Sequence, residues 1–436
     1  MEPLARTPRF WLVPHAVVVA SLCLSASCGD SASTTAATGG AASGVAGGTT
    51  AMAGTASAAA GSPATAGAST AVAGTSAAGG GAGGQGTTPP AGGSLTGGAG
   101  GASAAGGNAA GSSSAGANTA GASSGSTIVP DASWTCGKAE GIVDPKLGEL
   151  VFSVSVGVGQ VRDVGATQFG DRRVSDLASA TISGNKLDAT WLAGGLDFEL
   201  ELSNGAIELE QVAMLRGKDG ALVYLRTCGV APAGESVVRF VPDFEAATAS
   251  SLAWLNTGNF VGTRKLDVAA KKLELAVYDV SNVKTDGPKV QLKDPAGVAN
   301  QPWDCVKANG TKSTEVFTET VTLGGSLSVG ASKRGTRNVI PITGGTVTGK
   351  LTGTVVNAGA DYQLVGGSTT LDARYVLASS DGETVVVRNC GPFGALIPLF
   401  ETRSAGPYAF LNTGKFISSD PGSAAGGVKI TFYELK

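Results

Sequence analysis

The residues with the clearest chemical potential lie near the C-terminal end: Asp372, Arg374 and Tyr375. They take positions i, i+2 and i+3 of a segment whose pattern predicts a β-strand. A period of two puts Asp372 and Arg374 on one face and Tyr375 on the other. Turned into a protein interior, such a pair can hold a polar ligand, or the carboxylate can accept a proton while the guanidinium stabilises the anion formed. Turned elsewhere, it is a structural ion pair or an exposed strand face. Asp361 with Arg337 is a second combination of the same kind. Asn389 and Asn412 can donate to a ligand or satisfy turn backbone. Asn256 recurs at the place of Asn412 in an internal repeat, which favours the turn role.

Composition excludes much other chemistry. The only histidine is His15, inside an apolar N-terminal segment. With that segment removed, Ser-His-Asp and Cys-His nucleophile systems and the usual His-containing zinc sites are ruled out. None of the cysteines forms a CxxC, which argues against a metal knuckle or a thioredoxin-type site; no metal and no cofactor are expected. The net charge is −3 with no basic patch, which gives no case for nucleic acid.

The first residues read as an address. Arg6 and Arg9 precede an apolar run from Phe10 to about Ala26, broken by Pro14 and too short for a good transmembrane helix. Leu24-Ser25-Ala26-Ser27-Cys28 resembles a bacterial lipoprotein processing site, with Ser25 where a leucine is usual. Two alternatives stand: acylation of Cys28, anchoring the chain to a membrane leaflet, or cleavage after Ser27 by a general signal peptidase. Gly29 after Cys28 leans toward outer-membrane delivery. The expected location is the cell envelope or surface. From Cys28 to Thr127 the chain is nearly all Gly, Ala, Ser and Thr. Nothing there can bury a core, so a flexible tether is expected, on the order of 55 Å in root-mean-square span.

The remainder repeats. Trp134-Thr135-Cys136 returns as Trp303-Asp304-Cys305. Asp219-Gly220 with Arg226-Thr227-Cys228-Gly229 returns as Asp381-Gly382 with Arg388-Asn389-Cys390-Gly391. Trp254-Leu255-Asn256-Thr257-Gly258 returns as Phe410-Leu411-Asn412-Thr413-Gly414, in the same order and at similar spacing. Two copies of one domain follow, at 130–290 and 300–436, after a signal at 1–27 and a tether at 28–127. The pattern is β throughout: Phe152 to Val158 alternates strictly, and Asn204-Gly205 sits between two alternating segments as a hairpin turn. Only Phe244–Leu255 and Ile397–Phe410 are candidates for a short helix. An all-β protein of two tandem antiparallel barrels or sandwiches is predicted. Duplication pairs Cys136 with Cys228 and Cys305 with Cys390, one bridge per copy. Trp134, Trp303, Trp254 and Phe410 are expected to pack the core.

The second copy resembles the family known as domain of unknown function 3237. The resemblance rests on Gly335-x-Arg337, Pro341-Ile342-Thr343-Gly344-Gly345, Gly359-Ala360-Asp361-Tyr362, Leu371-Asp372-Ala373-Arg374-Tyr375, Asn389-x-Gly391 and Tyr408-Ala409-Phe410-Leu411-Asn412. The first copy is similar but diverged: Gly170-x-Arg172 and Gly194-Gly195-x-Asp197 survive, while the Asp-Ala-Arg-Tyr motif has become Glu210-Gln211-Val212-Ala213. The resemblance implies a small antiparallel β-barrel and brings no activity with it. The cysteine pairs and the tether look like additions to the family pattern.

Three functions are open on the sequence: a surface-tethered module binding a small molecule or an envelope component; a histidine-free enzyme, of isomerase or lyase type, using Asp372 or Asp361 as base with Arg374 as anion stabiliser; or a purely structural surface protein. The expected partners are a membrane, through the lipid anchor, and that ligand. The pocket candidates are Arg337, Asp361, Asp372, Arg374, Tyr375, Asn389 and Asn412, all in the second copy.

Overall fold

Strict alternation builds the first long strand, β1 (Glu149–Ala166), whose Phe152, Val154, Val156 and Val158 all turn inward. The computed structural model describes residues 125–436; the signal, Cys28 and most of the expected tether lie outside the described residues. After β1 come β2 (Asp171–Leu177), β3 (Gly195–Glu201), β4 (Ile207–Gly217), β5 (Leu222–Ala231), β6 (Val237–Ala246), β7 (Phe260–Asp267) and β8 (Lys272–Asp279). Each pairs antiparallel with the next and β8 returns to β1, which closes an eight-stranded up-and-down barrel. Closure leaves no exposed edge among these strands.

The second copy repeats the path with β9 (Lys312–Leu323), β10 (Gly335–Gly349), β11 (Ala360–Val365), β12 (Thr369–Ser379), β13 (Thr384–Pro392), β14 (Ile397–Glu401), β15 (Phe416–Ser418) and β16 (Gly427–Leu435). Here one joint differs. β15 has only three residues and soon meets Pro421, which cannot donate to a ladder. Among the described residues β14 and β15 form no ladder, and a single backbone bond, Ser418 N to Leu396 O at 3.0 Å, bridges them. The second barrel is thus closed except for a seam.

The two short-helix candidates are mostly turn beyond their first residues. Their first parts lie in β6 and β14, and helix is limited to single turns at Ala253–Asn256 and Phe410–Thr413. These turns are held from behind: Asn256 grips Ala246 through both its N–H and its C=O, and Asn412 does the same to Thr402. Asn412 is therefore used by backbone, as its recurrence suggested.

Each barrel is filled by its own apolar cluster, around Phe152, Trp191, Phe240 and Phe244 in the first and Phe317, Phe400 and Phe432 in the second. A third cluster belongs to neither barrel alone. Val174, Leu196, Phe198, Val212 and Tyr224 of the first copy pack against Val339, Ala360, Tyr362, Val376 and Val386 of the second. The cysteines pair as duplication implied, Cys136 with Cys228 and Cys305 with Cys390, with Cα separations of 5.3 and 5.6 Å. Trp134 and Trp303 meet each other edge-to-face outside the barrels, with ring centroids 5.4 Å apart. Trp254 packs on the first interior cluster, but Phe410 does not fill the core: it lies on the outer side of its helical turn and is 38 % exposed.

The contacts between copies are reciprocal. Arg172 of the first copy makes a two-pronged bond to Glu401 of the second, at 2.8 and 3.0 Å, and Arg337 of the second makes the same bond to Glu245 of the first, at 3.1 and 2.6 Å. Thr248 N donates to Ala331 O and Ser404 N to Ala166 O, again exchanging roles. Gly359 N donates to Gly194 O near the middle of this arrangement. Gly359 has a φ of +87°, and a Cβ there would stand 2.0 Å from Arg374 O, so only glycine fits. The barrels thus meet as a pseudo-twofold pair within one chain.

Glu401→Ala should cost about 3–5 kcal/mol in urea unfolding, because it leaves Arg172 buried without its counter-charge; the paired change Arg172→Met with Glu401→Leu should cost far less.

Candidate functional site

Strand register fixes which positions of the copies correspond. Arg172 opposes Leu200 and Arg337 opposes Leu364; Asp197 opposes Gln211 and Asp361 opposes Ala373. On that alignment Glu210 matches Asp372, Val212 matches Arg374, Ala213 matches Tyr375 and Arg226 matches Arg388. On the outer strands Phe152 matches Phe317 and Val154 matches Glu319.

The Asp372/Arg374 face turns away from its own barrel and into the junction. Asp372 accepts from Arg374 at 3.1 Å through both oxygens and from Arg388 at 3.0 and 3.2 Å. Arg374 reaches across to Glu210, which also takes Arg226. Arg226 places its guanidinium carbon over the Trp303 ring, 3.3 Å from its centroid, and Arg388 donates to the carbonyls of Pro302, Trp303 and Asp304. Burial disfavours ionising Glu210, but Arg226, Arg374 and Arg388 outweigh it and hold the carboxyl down at about 2. Burial also opposes ionisation of Asp372, and Arg374 and Arg388 together hold it far below the usual carboxylate range. The predicted carboxylate–guanidinium pair thus exists, as a permanently charged clamp between barrels. Arg337, proposed beside Asp361, instead takes Glu245 and the Tyr362 carbonyl.

The opposite face of the same strand makes a different site. Tyr375 points into the second barrel, where its hydroxyl donates to Glu319 Oε2 at 2.7 Å. Glu319 has no exposure, and its Oε1 has no hydrogen-bond partner. Burial pushes this carboxyl up to about 8, with the Tyr375 hydrogen bond pulling weakly the other way. Around the pair are Phe317, Val321, Leu377, Val387, Ile430 and Phe432. Nearer the barrel end, Asp361 accepts from Gln363 at 2.8 Å and from Asp372 N at 3.2 Å, and burial raises it to about 6. Asn389 exchanges hydrogen bonds with Ser418 beside the seam. Leu323, Ala373 and Val428, packed on the same interior cluster, are only partly buried, as is Asp361, so this end of the barrel meets solvent.

The first barrel is plugged at the same places. Val154 and Ala213 stand where Glu319 and Tyr375 would be. Its longer β7 carries Arg264, which fills the interior beside Asp197 at 2.5 and 3.1 Å and also takes Glu199, while Gln211 donates to Asp197 at 2.6 Å. In the second barrel the equivalent strand has ended at Ser418, so Asp361 receives no such arginine.

Glu319 was missed at the sequence level although a signal was there. In Phe317-Thr318-Glu319-Thr320-Val321 it occupies the apolar phase of an alternating strand, where the first copy reads Phe152-Ser153-Val154-Ser155-Val156. Cys305, Cys390 and Asp372 come within 4.8 Å of one another, but the sulfurs are bonded together and Asp372 is taken by two guanidiniums, which leaves that group no thiolate for a cation.

Fold and register together define a fused pair of up-and-down β-barrels, one holding an internal arginine–carboxylate cluster and one a buried Glu319–Tyr375 pair. The family model described as protein of unknown function DUF3237 matches residues 145–283 and 311–395, one match per barrel, and the chain belongs to that family. A UPF0311 protein of Bradyrhizobium diazoefficiens is 39 % identical over 95 residues, 21 % of this chain and 62 % of that protein. A UPF0311 protein of Rhodopseudomonas palustris is 39 % identical over 79 residues, 17 % of this chain and 52 % of its own length. The matches thus span between half and two thirds of these relatives. Among solved structures, a protein of unknown function from Clostridium acetobutylicum is 24 % identical and is covered over 98 % of its length and 30 % of this chain, with a TM-score of 0.28. An enzyme from Penicillium herquei is 19 % identical over 92 % of its length and 30 % of this chain, with a TM-score of 0.24.

The raised carboxyl has a measurable consequence. Unfolded, Glu319 titrates near 4.5; folded, near 8. Between those values the unfolded chain releases the proton that the folded chain retains, so stability should fall as pH rises through this window, by on the order of 4 kcal/mol from this group. Asp361 contributes in the same direction. Glu208, also lifted by burial, to about 7, adds to it. Denaturant unfolding at pH 5 and pH 8 should show the summed loss, and Glu319→Gln should reduce it by the share of that one group.

Proposed function

We propose that the chain is a small-molecule-binding protein whose second barrel holds the ligand on Glu319, Tyr375 and Asp361, while the first barrel braces it. The observation that carries this reading is the Glu319–Tyr375 pair. A carboxyl placed in an apolar interior with one oxygen unpartnered is costly to fold, and the sister barrel demonstrates that valine and alanine serve the packing at those positions. A group that weakens the fold and is kept in only one copy is best explained by use. The ligand is small and largely apolar, with at least one hydrogen-bonding group for the Glu319–Tyr375 pair. It enters at the end lined by Leu323, Asp361, Ala373 and Val428.

A second reading is favoured by one feature. A carboxyl raised to about 8 is protonated at neutral pH and can act as a general acid. Under that reading Glu319 donates the proton and Tyr375 orients it, an isomerase or lyase chemistry without histidine. Asp372 and Arg374, taken up at the junction, then support the barrel from outside. The lipoprotein-type sequence at Cys28 and the paired cysteines support export to the cell envelope, with the barrels carried clear of a membrane by the Gly/Ala-rich tether.

The test is native mass spectrometry of the full chain, produced with export and challenged with extracts of apolar metabolites. A bound mass is expected for the natural chain and should disappear in Glu319→Val, the substitution the first barrel already contains. That variant should unfold at higher denaturant than its parent. A ligand retained by Glu319→Val, or none bound by the natural chain, would overturn the reading. If the ligand is turned over, the rate should decline as pH rises above about 8 and be lost in Glu319→Gln.

A further inference from the structure

The junction between barrels contains more positive charge than its carboxylates answer. A cleft of about 30 Å³ opens there, lined by Arg172, Arg374 and Arg388 together with Glu210, Gln301 and Glu401. Three guanidiniums thus face two carboxylates. Behind the lining, Asp372 takes Arg388 and Arg226 takes Glu210, so the wider cluster sets four guanidiniums against three carboxylates and keeps the excess of one. Glu208, joined to the cleft through Gln301 at 2.7 Å, cancels it only in part near neutral pH. Burial lifts that carboxyl to about 7, with the Gln301 hydrogen bond opposing.

Donors are in excess as well as charge. Arg172 is 2 % exposed. Its Nε and Nη2 are taken by Glu401 and Gln301, and its Nη1 has no acceptor in the protein. A guanidinium carries five N–H donors, and Arg374 uses one N–H each at Nε, Nη1 and Nη2, so it too has donors to spare. A buried donor without a partner costs the full desolvation of that group, and here the group is part of a cation.

We propose that this cleft is an anion site that takes one halide-sized inorganic monoanion, such as chloride, held by Arg172 Nη1 with Arg374 and Arg388 completing the charge. Room for one or two water-sized bodies admits a monatomic anion and excludes a hydrated tetrahedral dianion such as sulfate. The anion pins the two barrels together from between, where Arg172 and Glu401 already join them. It is separate from the Glu319 interior and does not depend on it.

The test uses the full chain in a gluconate buffer, with equilibrium dialysis against radiolabelled chloride. Saturable uptake of about one chloride per chain is expected, displaced by bromide and not by sulfate. Two variants locate it. Gln301→Glu keeps the shape of the side chain that faces Arg172, and the new carboxyl shares one proton with Glu208 in place of the amide hydrogen bond; the pair then holds one negative charge at the cleft, so chloride uptake should vanish while the melting transition is retained. Arg172→Lys keeps a cation for Glu401 but removes Nη1, so chloride affinity should fall at least tenfold. No saturable uptake by the natural chain, equal displacement by sulfate, or unchanged uptake in a folded variant of either kind would overturn the proposal.

Discussion

The arrangement of this protein depends on buried charge that is matched across two copies of a domain. Arg172 with Glu401 and Arg337 with Glu245 are the same interaction used twice with the donors exchanged. Isolated buried ions are costly, and a guanidinium and a carboxylate joined by two parallel bonds recover much of that cost only when geometry is fixed. Here it is fixed by strand ends: each glutamate sits just before a residue gripped by Asn256 or Asn412. The apolar cluster between barrels then supplies the bulk of the attraction, and the ion pairs select one orientation for it.

Within that frame the copies have divided their tasks. At three positions the first barrel has apolar residues or an internal ion pair where the second carries a polar group with no ion-pair partner. Val154 and Ala213 answer Glu319 and Tyr375, and Arg264 closes on Asp197 where Asp361 has only an amide and a backbone N–H. The shortened β15 links these differences. It removes the residue that would have plugged the interior, and it leaves the seam against β14. One local change in strand length thus alters both access and electrostatics of the same barrel.

Much of this was readable from the chain itself. The repeat landmarks gave two copies, and alternation gave strands. Duplication gave the cysteine pairing, because a bridge within each copy is the arrangement that both copies can share. What could not be read was direction. A period of two states that Asp372 and Arg374 share a face and Tyr375 the other, but which face is interior depends on barrel closure and on what packs outside. A surface that would be solvent in a lone barrel is interior here because the other copy covers it. Arg226 and Arg388 served only as repeat landmarks for the same reason: their partners, Glu210 and Asp372, are brought to them by the junction. Phe410 was expected in the core from its place in the repeat, yet the helical turn that carries it buries Leu411 instead.

Joining both barrels in one chain has a consequence for how the pair responds to its surroundings. Two separate subunits held by such a junction would come apart on dilution, since their association depends on how much protein is present. Here the segment between β8 and β9, fastened by the Cys305–Cys390 bridge, fixes the local concentration of one barrel about the other. Their docking is therefore a property of the single molecule and persists when copies are few and far apart. The same covalent joining frees each side to change alone, which an assembly of identical subunits cannot do: Val212 replaces the partner of Arg374 on one side only, and the junction keeps three of these arginines where strict symmetry would require four.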